Sequence, residues 1–98
     1  MKKIPPYELT ARPCTPDAEA AAGFEWAAPE VGTRHRLGRT PTDVPESDYP
    51  TCPSCNERMS FYGQLDSIGD DIALADAGLV LVFVCFGCFE ATAKVHSA

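Results

Sequence analysis

Ninety-eight residues, 45% of them apolar, describe one small folded domain and exclude a disordered chain. The formal charge of −6, from 8 basic and 14 acidic residues, speaks against a surface built to neutralise phosphates. The longest apolar run, Leu79 to Phe86, is too short to span a bilayer as a helix, and Pro5-Pro6 interrupt the only stretch that begins like a signal peptide. The expected site of action is the cytoplasm, with no membrane contact.

The expected organisation is a single domain over 1–98. An N-terminal arm, a short helix and a short strand fill 1–31, a loop fills 32–51, and the core lies in 52–96. Pro5, Pro6 and Pro13 hold the arm extended, and Tyr7 and Leu9 alternate within it as in a short strand. Thr15-Pro16-Asp17 is a helix start: an N-cap hydroxyl, a proline at the first helical position and an acid in the first turn. The alanines that follow favour helix and Gly23 stops it. Phe24 and Trp26 flank Glu25, which predicts a short strand with two large anchors packed on the core.

Residues 29–51 are punctuated by Gly32, Gly38, Pro41, Pro45 and Pro50. A loop of this length is functional or hides short elements. It contains the basic cluster Arg34, His35, Arg36 and Arg39, whose simplest reading is a solvated loop, and the acids Asp43, Glu46 and Asp48.

Cys52-Pro53-Ser54-Cys55 then answers Cys85-Phe86-Gly87-Cys88. In a Cys-x-x-Cys pair, one tight turn aims both sulfurs at one point. Two such pairs supply four thiolates, enough to close a tetrahedron around structural zinc with no open position for chemistry. The competing readings are two redox dithiols or two local disulfides, and disulfides closing such small loops would staple almost nothing.

Strict alternation from Met59 predicts a half-buried strand with Met59, Phe61, Gly63 and Leu65 on one face and Ser60, Tyr62, Gln64 and Asp66 on the other. Leu79 to Cys85 is apolar throughout, which predicts a strand buried on both faces at the sheet centre. Phe89 to His96 alternates again, with Phe89, Ala91, Ala93 and Val95 expected inward. The fold class is therefore mainly β with a small α contribution: a zinc-ribbon-like antiparallel sheet carrying two knuckles. Between the strands, Asp66, Asp70, Asp71 and Asp76 form the most acidic stretch.

The segments Gly32–Gly38, Cys52-Pro53-x-Cys55, Met59-x-Phe61-Tyr62-Gly63-Gln64-Leu65-Asp66 and Val82-Phe83-Val84-Cys85-Phe86-x-Cys88 together resemble small bacterial proteins akin to the YwqG-like domain and the C-terminal region of programmed cell death protein two. The resemblance covers 32–96. It implies a β-rich zinc-binding domain, and some such proteins look like immunity or accessory proteins of toxin systems. The chain departs from the pattern at Arg39, where a second glycine is usual, and at Thr42-Asp43, where an aromatic is usual.

Three functions compete. A protein-binding module, in the sharpest form an immunity protein that neutralises a toxin, suits the acidic charge. Its binding surface is expected at Asp43, Glu46, Asp48, Asp66, Asp70, Asp71 and Asp76. A nucleic-acid-binding ribbon would stack bases on Phe86, Phe89 and Tyr62 but meets the wrong net charge. An enzyme would need Cys14, His35 or His96, which no spacing connects, and Cys14 reads as a bystander.

Overall fold

The computed structural model describes residues 1–74 and 78–97. Its frame is one five-stranded sheet, β1 (Tyr7–Glu8), β2 (Arg36–Leu37), β3 (Ser60–Asp66), β4 (Leu79–Cys85) and β5 (Glu90–His96), ordered as they occur in the chain. Every neighbouring pair is antiparallel. The fold is thus mainly β and zinc-ribbon-like. The helix α1 (Pro16–Ala21) starts where the sequence predicts, with the Thr15 hydroxyl accepting from the Ala18 N–H at 3.1 Å. Gly23 follows it at a φ of 96°, in the left-handed region where glycine carries no steric penalty.

The arm and the long loop each contribute a strand of two residues, β1 and β2. Strands this short have no periodicity to read. They add to the sheet because Gly63 lacks a side chain: a Cβ there would lie 2.7 Å from the Arg36 carbonyl oxygen. The loop also holds a 3-10 turn, Glu46–Asp48. The strand expected at Phe24–Trp26 does not form. Trp26 is 90% exposed, and Phe24 instead lies against Gly32.

The core is the inner face of β3 and β4 with the loop folded over it. Phe61, Leu79, Leu81, Phe83 and Cys85 form the floor, and Tyr49, Cys52, Met59 and Val44 come from the covering segment. Tyr49 sits 5.2 Å from Phe83 and 6.4 Å from Phe61, centroid to centroid, and the two phenylalanines are 5.6 Å apart edge to face. Aromatic pairs at such separations gain from complementary quadrupoles as well as from burial.

Two expected faces are reversed. In β3 the register slips between Phe61 and Gly63, so a bulge at Tyr62 absorbs one residue. Beyond it the faces exchange: Gln64 and Asp66 are buried, and Leu65 is 50% exposed. In β5 the residues beside the buried face of β4 are Glu90, Thr92, Lys94 and His96, opposite Cys85, Phe83, Leu81 and Leu79; Thr92 and His96 are half-buried, while Glu90 and Lys94 stay exposed. Ala91, Ala93 and Val95 lie on the outer face instead. Nor is β4 buried on both faces, since Val80, Val82 and Val84 are only half-covered. The covering loop decides the matter: it packs on the Leu and Phe face, and the Val face is left to the outside.

Removing the ring of Tyr49 should open a cavity between loop and sheet. Tyr49→Ala is expected to cost about 3 kcal/mol, within the usual range for a large buried side chain, read as a lowered denaturation midpoint with an unchanged denaturant slope.

Candidate metal centre

The two knuckles are built alike. Asn56, just after the first pair, donates its N–H to the Cys52 carbonyl at 2.8 Å. Phe89, just after the second, donates to the Cys85 carbonyl at 2.7 Å. Both residues have positive φ, 63° and 58°. Each chain turn therefore closes on itself and leaves its two sulfurs on the same side. A bridge between Thr51 and Arg58, with the Cys52 N–H donating to the Glu57 carbonyl at 2.7 Å, holds the first knuckle in a small hairpin. The β4–β5 pairing holds the second, which is the turn of a β-hairpin.

The result is that Cys52, Cys55, Cys85 and Cys88 bring their Sγ atoms within 4.8 Å of one another. Cys55 and Cys85 are 3.7 Å apart across the two knuckles. A tetrahedron with metal–sulfur bonds of about 2.3 Å has edges of about 3.8 Å, so the cluster has the size for one ion. All four are free thiols, two buried (Cys52 and Cys85) and two exposed (Cys55 and Cys88). Soft thiolate donors in this arrangement suit zinc or iron.

The protons on this cluster are unequally held. Backbone N–H groups of Cys88 and Gly87 point at the Cys85 sulfur and, against its desolvation, lower that thiol to about 7. Hydrogen bonding with Cys55, followed by desolvation and Cys52, pushes Cys88 up to about 12. One thiolate forms readily, and each further negative charge among neighbouring sulfurs becomes harder to hold. A dication removes that repulsion, which is why thiolate sites bind metal and release protons in one step.

The other expected site residues scatter. Asp43 and Asp48 are exposed on the covering loop. Glu46 pairs with Lys3 at 2.9 Å on the surface. Asp70 is exposed and its carboxylate accepts from the Glu25 N–H at 3.0 Å. Asp76 and the side chain of Asp71 lie outside the described residues. Cys14 is exposed, and its thiol contacts the Arg12 carbonyl at 3.7 Å.

Asp66 has a different role from the one expected. It is 4% exposed and receives the N–H groups of Gly32 (2.8 Å), Arg34 (3.0 Å) and Ser67 (2.7 Å). The Arg34 guanidinium grips it with both forks at 2.8 Å. Burial alone would raise this carboxyl; the bonds from Arg34 and the backbone outweigh it and hold Asp66 below the usual carboxylate range. Its own backbone N–H donates to Nδ1 of buried His35 at 2.9 Å, which leaves that imidazole's proton on Nε2. Within the basic cluster, Arg34 and His35 are therefore not solvated: they clamp the loop to the end of β3, whereas Arg39 is exposed. Strict alternation had put Asp66 outward, and only the bulge brings it in.

No family model matches the chain. The uncharacterized protein YpfL of Salmonella typhimurium (strain LT2) is 36% identical over 56 residues, which is 57% of this chain and 13% of that protein. The chain thus spans a small part of the length of the curated relative it matches. No solved structure matches.

Purified protein should contain one metal ion per chain, measured by elemental analysis. Acidification should release it as protons compete for the four sulfurs. Any one of the four cysteines changed to serine should lower metal content, whereas Cys14→Ala should not. Asp66→Ala should cost about 3 kcal/mol, because a partly buried guanidinium and three amides lose their acceptor. The sign with pH follows from the depressed pKa. The stabilisation is complete above the unfolded carboxylate value of about 3.9 and disappears as pH falls through the lower folded value, so acid unfolding of Asp66→Asn should be shallower in that window.

Proposed function

We propose that this chain is a small cytoplasmic protein-binding module held together by structural zinc. The observation that carries the reading is the all-sulfur cluster: four cysteine sulfurs lie within 4.8 Å of one another, and as thiolates they would fill a tetrahedral shell and leave no position for a substrate. The metal's contribution is then to folding, and the function rests on surface recognition rather than on turnover.

A basic protein fits the surface better than a nucleic acid does. The net charge is −6. Asp43 and Asp48 stand exposed on the loop that covers the core, and Asp70 stands exposed beyond β3. Near the knuckles, Arg58 is engaged with the Glu46 carbonyl at 3.1 Å. No helix among the described residues is long and apolar enough to cross a membrane. A toxin that acts on nucleic acid is basic for that purpose, and an immunity protein against it would present a surface of this sign. The resemblance at the knuckles and at the Met59–Asp66 segment supports the same reading.

Asp43→Asn/Asp48→Asn is the informative variant, since Asn accepts the left-handed φ of 58° at position 43 as readily as Asp. Against a basic protein partner, its association rate at low salt should fall about tenfold and lose most of its salt dependence, with dissociation little changed. Equal association rates for the two proteins at low salt would sink the acidic-surface reading. Sequence-independent binding of single-stranded DNA at physiological salt would favour the nucleic-acid alternative.

A further inference from the structure

Among the described residues, β5 has β4 on one side and no strand on the other. Alternate residues of an edge strand turn their N–H and C=O groups outward, ready to pair. Proteins usually blunt such an edge with proline, a bulge or a run of charges. β5 has no proline, and its register with β4 runs without a break from Leu79–His96 to Cys85–Glu90.

Two features make this edge unusual. Its charged residues are Glu90 and Lys94, of opposite sign, placed symmetrically about Thr92. Neither takes part in an ion pair among the described residues. Phe89, next to the strand, is 81% exposed and holds a φ of 58°, a conformation that costs a bulky residue energy. The knuckle turn accounts for the φ, since the Phe89 N–H closes it on the Cys85 carbonyl, but that turn does not call for an aromatic ring left exposed beside a strand edge.

We propose that β5 pairs antiparallel with β5 of a second copy, around a two-fold axis at Thr92. This register sets Glu90 opposite Lys94 of the second copy, twice by symmetry. Ala91 then faces Ala93, and Phe89 comes beside Val95, which is 58% exposed. Neighbouring registers lose this match. A two-fold at Lys94 opposes two lysines, and one at Glu90 opposes two glutamates. One at Ala93 leaves Lys94 facing Thr92, and one at Ala91 leaves Glu90 facing Thr92. The Thr92 register alone satisfies both charges, and it joins two five-stranded sheets into one. The metal centres, each at the knuckle end of its own β5, fall at opposite ends of the paired strands.

A single strand edge lies at the small end of protein interfaces, so the association is weak and needs high concentration to see. Sedimentation equilibrium of the metal-loaded chain, up to about 1 mM, reads it. Wild type should dimerise. Glu90→Lys and Lys94→Glu should each weaken the dimer by about tenfold or more, since each puts like charges opposite one another at two places. The double charge swap should restore association to near the wild-type value. Phe89→Asn should raise the thermal stability of the monomer, by relieving the strained φ, while weakening the dimer. These positions are exposed, and circular dichroism with metal content verifies that each variant folds. A wild-type chain that stays monomeric at about 1 mM, or a double swap no tighter than the single variants, overturns the proposal.

Discussion

The core of this protein depends on the tie between the sheet and the long loop that covers it, which otherwise meet mainly through side chains. Residues 38–59 lie over the inner face of β3 and β4 with little regular structure of their own beyond a 3-10 turn. What holds them down at one end is the first knuckle, whose sulfurs meet those of the second in the four-cysteine cluster. Cys52 and Cys85 are both part of the buried core, so metal site and hydrophobic cluster are one continuous body. At the other end the tie is electrostatic, where Arg34 and His35 engage Asp66. Opening that cluster would free the loop at the knuckle, expose the Phe61–Phe83 floor and remove the partner of Tyr49 together. For a domain of this size, with eight buried apolar residues in the core among the described residues, a metal bound at that cluster would add stability that so small a core lacks.

The features legible in the sequence are those with a local cause. Both Cys-x-x-Cys pairs, the Thr15 cap, the end of the helix at Gly23 and the three long strands each follow from residues within a few positions of one another. Asn56 belongs in this group as well, because asparagine after a turn is a familiar carrier of positive φ. The features that escaped depend on distant partners. β1 and β2 exist because Gly63 lets a backbone approach; Tyr49 becomes core because Phe61 and Phe83 leave room for a ring. Neither fact has a period or a spacing to reveal it.

The bulge at Tyr62 is the instructive case. A single added residue exchanges the two faces of the strand beyond it, since side chains alternate with a period of two. Gln64 and Asp66 go inward, and both are used. Gln64 donates to the Arg34 carbonyl at 2.9 Å and accepts from the Thr42 N–H at 3.2 Å. Asp66 anchors Arg34. Buried polar groups are tolerable only when their bonds are made, and here the loop makes them. The alternating pattern Met59-x-Phe61-x-Gly63-x-Leu65 reads as one apolar face, yet the structure divides it in the middle and uses the polar half to hold the loop.

The sheet that results is unequal on its two sides. Leu and Phe of β4 face the covered side, whereas Val80, Val82 and Val84 face the other with Leu65, Ala91, Ala93 and Val95 around them. That outer face is apolar without being closed: Leu65 and Val95, at 50% and 58% exposure, flank Val80 on either side in one cross-strand row. β-branched residues suit a pleated surface that is half in water, and they stiffen the strand whether or not anything covers them. The continuous apolar run of β4 therefore has two physical causes. One face builds the core, and the other maintains a rigid hairpin at whose tip the second pair of sulfurs must meet the first.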